Sequence, residues 1–105
     1  MLLREIAHSR TGDKGNRSTL SVIAYDLKDF AQIERCVTVE RVKAHYQDMV
    51  HGPVERYVVA HLGALNFVLH DALGGGVTHS LALDAHGKCL SSAILSLDIG
   101  PREAA

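Results

Sequence analysis

There is no tryptophan in this sequence, and aromatic residues make up only 5% of its 105 positions. The core must therefore be assembled from valine, leucine, isoleucine and alanine, within a hydrophobic share of 47%. One domain of this length buries about two-thirds of its unfolded surface and folds without staples. So small and ring-poor a core has little surplus, and association into a homo-oligomer or with another subunit would help it. Cysteine is scarce as well. Cys36 and Cys89 stand far apart, without the close pairs of a zinc site or the C-x-x-C of a redox motif. Their apolar neighbours, Val37 and Leu90, mark buried or half-buried thiols. No apolar run approaches the ~20 residues that cross a bilayer. Met1-Leu2-Leu3-Arg4-Glu5 lacks the basic start, apolar stretch and small-residue cleavage site of a signal peptide. Charge of one sign is missing too: the formal net charge is −1 and the pI about 6.6. Without a basic stripe there is no electrostatic footprint of a nucleic-acid binder. These absences describe a cytoplasmic protein with reduced thiols, one domain over residues 1–105, with no nucleic acid and no membrane as partner.

What is present is a chain of short elements. Residues 2–8 read as a first strand, and Ser9 to Arg17 as a polar loop of turn-forming residues. Residues 18–25 return to β-branched and apolar character and read as a second strand. Asp26 is placed to cap a short helix through Leu27, Phe30 and Ile33, ending near Arg35. Thr38 caps a second, amphipathic one through Val39, Val42, Tyr46, Met49 and Val50, stopped by Gly52-Pro53. Residues 54–59 are rich in strand formers. Leu62, Leu65, Val68, Leu69, Ala72 and Leu73 then mark a third helical stripe, with Gly74 as its cap. Two strands follow, about 78–83 and 89–98, joined by a hairpin turn at 84–88, and the tail from Gly100 reads as frayed. The order β-β-α-β-α-β-β, with helices on one face of a mixed or antiparallel sheet, predicts an α+β two-layer sandwich, broadly ferredoxin-like.

Two glycine-rich stretches stand out as places for a site. In Gly12-Asp13-Lys14-Gly15-Asn16, successive backbone N–H groups can form an anion-binding nest. Lys14 would add a point charge, and Asp13 could orient it or accept a proton. The P-loop spacing is absent, and the plain alternative is a tight turn with an exposed Asp–Lys pair. Gly74-Gly75-Gly76 costs backbone entropy, which hints at close approach by a ligand or another chain. Thr78 and Ser80 would follow with hydroxyls. The plain alternative there is an ordinary helix-to-strand connection. Asn66 interrupts the apolar part of the third helix and would need partners, with the backbone of the first glycine loop as the expected one.

Seven histidines, at 8, 45, 51, 61, 70, 79 and 86, carry no H-E-x-x-H or similar spacing. His45 and His70 read as solvated helix positions. A metal site from His8, Asp13 and His79 has no support in spacing, so no metal is expected. Neither cysteine has an activating neighbour, and no G-x-S-x-G elbow exists.

Arg10-Thr11-Gly12-Asp13-Lys14-Gly15-Asn16, Val54-Glu55-Arg56-Tyr57 and the run from Asn66 through Ala72-Leu73-Gly74-Gly75-Gly76-Val77-Thr78 to Ser80-Leu81 together resemble one family. It is the small domain at the C-terminus of AtuA-like (acyclic terpene utilisation) proteins, in some organisms a separate chain. The resemblance covers Arg4 to Ile99. It departs at Thr19-Leu20-Ser21-Val22-Ile23, where N-I-G-V-I is the expected pattern, and at His79, where a basic residue is more usual. The resemblance implies a ferredoxin-like fold, a link to catabolism of acyclic terpene or branched acyl compounds, and a larger AtuA-like protein as partner. It supplies no cofactor and no mechanism. Three readings are open. The chain is an accessory subunit of that larger protein, or a module binding an anionic acyl compound such as an acyl-CoA or carboxylate. The third is a small hydratase or lyase with Asp13 or His79 as acid–base group and its site formed between subunits.

Overall fold

Apolar residues recur at every second position along Leu20 and Val22 and along Leu65, Phe67 and Leu69, and all five are fully buried. That period places them on one face of a sheet. The computed structural model describes residues 1–14, 17–46, 52–70 and 93–102. Its strands are β1 (Ala7–Lys14), β2 (Arg17–Ala24), β3 (Val54–Val59) and β4 (Ala64–His70). They form one antiparallel sheet in the order β1-β2-β4-β3.

Helices α1 (Phe30–Cys36) and α2 (Val39–His45) pack over the apolar face. Phe30, Ile33, Val37, Val42 and Tyr46 join Leu20, Val22, Val54, Leu65, Phe67 and Leu69 in one core. The helix starts follow their sequence signals. Asp26 accepts a hydrogen bond from the Lys28 N–H at 3.0 Å, opening a 3-10 turn (Leu27–Asp29) that runs into α1. Thr38 accepts from the Arg41 N–H at 3.2 Å to open α2. At the end of α1, Arg56 reaches across from β3 and donates to the carbonyls of Glu34 and Val37, at 2.7 and 2.9 Å. It thus pairs carbonyls that a helix C-terminus leaves open. This is the α+β two-layer, ferredoxin-like architecture that the sequence predicts.

Several segments differ from expectation. Residues 64–70 form β4 and not the expected helix over 62–73, because the buried set is Leu65, Phe67 and Leu69, with Asn66 exposed between them. The strand expected over 2–8 begins as a 3-10 turn (Leu3–Glu5), and β1 extends through Lys14, into the expected loop. Pairing with β2 overrides the turn chemistry there, and the Ser18 hydroxyl ties the Gly12 carbonyl at 3.1 Å. Within the strand expected over 89–98, residues 93–95 are helical. Asp98 makes one isolated bridge to Leu2, and Ile94, Leu97 and Ile99 insert into the core. The tail is also better held than expected: Arg102 grips the buried Asp29 with two hydrogen bonds, at 2.6 and 3.1 Å. The last expected positions of the second helix, Met49 and Val50, the strand expected at 78–83 and the turn expected at 84–88 lie outside the described residues. Among the described residues no helix is long and apolar enough to cross a membrane.

Candidate functional site

The alternation that buries one face of the sheet sends the other residues to the opposite, open face. The register sets them in cross-strand rows. Nearest the β1–β2 hairpin are Arg17 and His70. Then come Gly12, Thr19, Val68 and Glu55, next Arg10, Ser21, Asn66 and Tyr57, and last His8, Ile23, Ala64 and Val59. Polar groups dominate the first three rows, and the face changes character toward the fourth.

Across these rows runs a chain of hydrogen bonds. His70 Nε2 and Glu55 Oε2 are 2.5 Å apart, and the Tyr57 hydroxyl donates to the other carboxylate oxygen at 2.7 Å. The diagonal reach from β3 to β4 makes this possible, since neighbouring positions across two strands lie within side-chain range. The His70 hydrogen bond, followed by that from Tyr57, holds the Glu55 carboxyl below the usual carboxylate range against an opposing desolvation, with smaller help from the charges of His70 and Arg17. The same bond to Glu55, with its negative charge, pushes the Tyr57 phenol up. Nearby, the Ser21 hydroxyl donates to the Asn66 side-chain oxygen at 2.8 Å. Arg17 and Arg10 are exposed and make no hydrogen bond or ion pair among the described residues.

The far end of the sheet is apolar. Tyr25, Leu27 and Leu62 are 67%, 61% and 62% exposed. Tyr25 follows the end of β2, Leu62 precedes Gly63 and Leu27 lies beside it; the Gly63 N–H bonds the Ala60 carbonyl and its carbonyl accepts from the Ala24 N–H. Gly63 has a left-handed φ of 63°, and a Cβ there would lie 2.8 Å from Leu27 Cδ2. Tyr25 stacks on His8 at 5.2 Å.

Of the residues singled out from sequence, the structure brings Gly12 and Asn66 onto this open face, on strands that flank β2. Asn66 does not face the core or bond the first glycine loop; it is exposed, and Ser21 is its partner. Asp13 and Lys14 lie in β1 opposite Ser18 and Arg17, with side chains outside the described residues. Gly15, Asn16, Gly74, Gly75, Gly76, Thr78, His79 and Ser80 also lie outside the described residues. His70 ends a strand and not a helix, and His45 is half-buried with Nε2 2.6 Å from the Ala93 carbonyl. Sequence reasoning passed over Arg17, Glu55, Tyr57 and His70. Their signal was the two-residue spacing of Glu55 and Tyr57 within a strand that was itself recognised.

An open groove of about 270 Å³ lies between α2 and the C-terminal segment, lined by Arg41, Ala44, His45 and Leu97. Its polar groups are already engaged, Arg41 with the Cys36 and Asp98 carbonyls and His45 with Ala93. Among the described residues no three His, Cys, Asp or Glu side chains gather as metal ligands. No curated protein and no solved structure matches the chain. The family model for the AtuA ferredoxin-like domain matches residues 1–100. With that match over nearly its whole length, and with the two-layer fold described above, the chain belongs to the AtuA ferredoxin-like domain family.

Proposed function

We propose that this chain is a small subunit that docks on a larger AtuA-like protein, serving catabolism of acyclic terpene or other branched acyl compounds. Membership of the family supports the kind of partner. The observation that carries the docking is the apolar end of the sheet, where Tyr25, Leu27 and Leu62 are each more than half exposed around the Ala24–Gly63 junction. Single exposed leucines need no explanation, but a gathered group marks an interaction surface. A domain with three tyrosines and two phenylalanines in all, exposing one of these rings at the same end as two leucines, has reason to cover them.

The test is co-expression with a larger AtuA-like chain from the same organism, followed by light-scattering mass. A complex of defined stoichiometry is expected. Leu62→Glu should abolish it while leaving the melting temperature of the small chain within a few degrees, since Leu62 is already exposed. Failure of the two wild-type chains to associate at micromolar concentration removes the reading. A dimer of the small chain through the same end, also broken by Leu62→Glu and excluding the larger protein, would replace it by self-association.

A further inference from the structure

We propose that the open face of the sheet is an oxyanion site with its own proton acceptor, built from Arg17, His70 and Glu55, for a small carboxylate or phosphate compound. The inference does not rest on the docking reading, because it uses the opposite end of the sheet. Its starting point is how the Glu55 carboxylate is occupied. One oxygen meets His70 Nε2 and the other accepts from Tyr57, so the carboxylate is held at both oxygens by groups on two strands. The imidazole is thereby presented through Nδ1, which makes no hydrogen bond among the described residues. A carboxylate on one ring nitrogen fixes the tautomer in which the other nitrogen accepts a proton.

Arg17 supplies the anion contact. Its Cα is the direct cross-strand partner of His70, and its guanidinium fork matches the geometry of a carboxylate or phosphate. The nearby carboxylate of Glu55 feels its charge, yet is hydrogen-bonded to His70 and Tyr57. Among the described residues no group takes the Arg17 donors, which are left for a third party. A surface His–Glu pair alone would be unremarkable in energy. Here it stands with a tyrosine that fixes the carboxylate and an arginine that remains unpaired among the described residues.

The middle row lets a ligand come close. Gly12, Thr19 and Val68 are small and lie between the row of Arg17 and the row of Arg10. Arg10 and Arg17 are roughly 14 Å apart at Cα from strand geometry, a span that two arginine side chains can bridge around a small anion. The proton step needs no co-reactant. Nδ1 of neutral His70 takes a proton from a substrate O–H or acidic C–H, leaving the electron pair on the substrate. Glu55 offsets the imidazolium charge, and the proton returns to product or water.

The experiment is an NMR titration of the full chain at fixed pH and ionic strength, with inorganic phosphate in one arm and propionate in the other. Saturable shifts of the His70 ring and the Arg17 guanidinium are expected with at least one anion. Arg17→Ala should weaken that binding at least tenfold, whereas Arg4→Ala, on the exposed 3-10 turn, should not change it. A response to phosphate alone identifies phosphate-bearing ligands, and a response to propionate alone identifies carboxylates. No saturable response to either anion, or wild-type binding by Arg17→Ala with an otherwise unchanged spectrum, overturns the proposal.

Discussion

Glu55 and Arg56 are adjacent in sequence and do unrelated work, because a strand sends neighbours to opposite faces. Arg56 points toward the helices and satisfies the Glu34 and Val37 carbonyls. Glu55 points to the open face and joins His70 to Tyr57. The Glu55 carboxyl titrates below its ordinary value, first because of the His70 hydrogen bond and then because of Tyr57. A depressed folded-state pKa means that the unfolded chain takes up the proton more readily. The contribution of this group to stability is therefore present above its unfolded pKa and is lost as pH falls through the depressed folded value. A carbon-13 titration of the Glu55 carboxyl should give a midpoint below that of an ordinary glutamate. His70→Asn should move the midpoint up, and Tyr57→Phe should move it up by less. An unchanged midpoint in His70→Asn would mean that the contact at 2.5 Å is not kept in solution.

Elements whose reasons are local were legible in the sequence. Asp26 and Thr38 cap the helices that they precede, and β3 occupies residues 54–59 as its β-branched composition implied. Elements fixed by distant partners were not. Gly12, Asp13 and Lys14 have turn chemistry, but the ladder to Arg17, Ser18 and Thr19 makes them strand. Residues 64–70 offered both periods at once, since Leu65, Val68 and Leu69 fit a helix and Leu65, Phe67 and Leu69 fit a strand. The strand prevails because β4 is a central strand, paired on both sides by β2 and β3, and its Phe67 fills the core. The two periods make opposite demands on Phe67 and Val68. Phe67→Ala should cost about 3–5 kcal/mol, the usual range for emptying a buried ring site, because Phe67 is fully buried. Val68, half-buried on the open face, should cost about 1 kcal/mol or less as Val68→Ala. Urea unfolding of the two variants decides it, and the reverse order would restore the helix. The same misreading hid the candidate site, since Asn66 and His70 share a face with Glu55 and Tyr57 only when residues 64–70 form a strand.

At the scale of the whole molecule, the sheet separates two surfaces of different character. The apolar end around Gly63 and the polar end around Arg17 and His70 lie at opposite ends of β2, a strand of eight residues and so roughly 25 Å long. No described side chain belongs to both. Groups this far apart and without shared partners act independently, their effects adding within about 0.5 kcal/mol. Leu62→Glu should therefore remove docking on the larger AtuA-like protein and leave the phosphate or propionate affinity of the small chain unchanged. Arg17→Ala should do the reverse, and the double variant should show the sum of the two. Anion affinity measured by calorimetry, with and without saturating partner, completes the comparison. Equal affinities in both states would mean that the small chain carries a whole site on its own sheet. An affinity that rises tenfold on docking, about 1.4 kcal/mol of coupling, would mean that the partner either adds groups to the open face or stiffens the strands beneath it. Arg17→Ala distinguishes these: stiffening loses its benefit once the arginine is gone, whereas groups added by the partner still bind the anion.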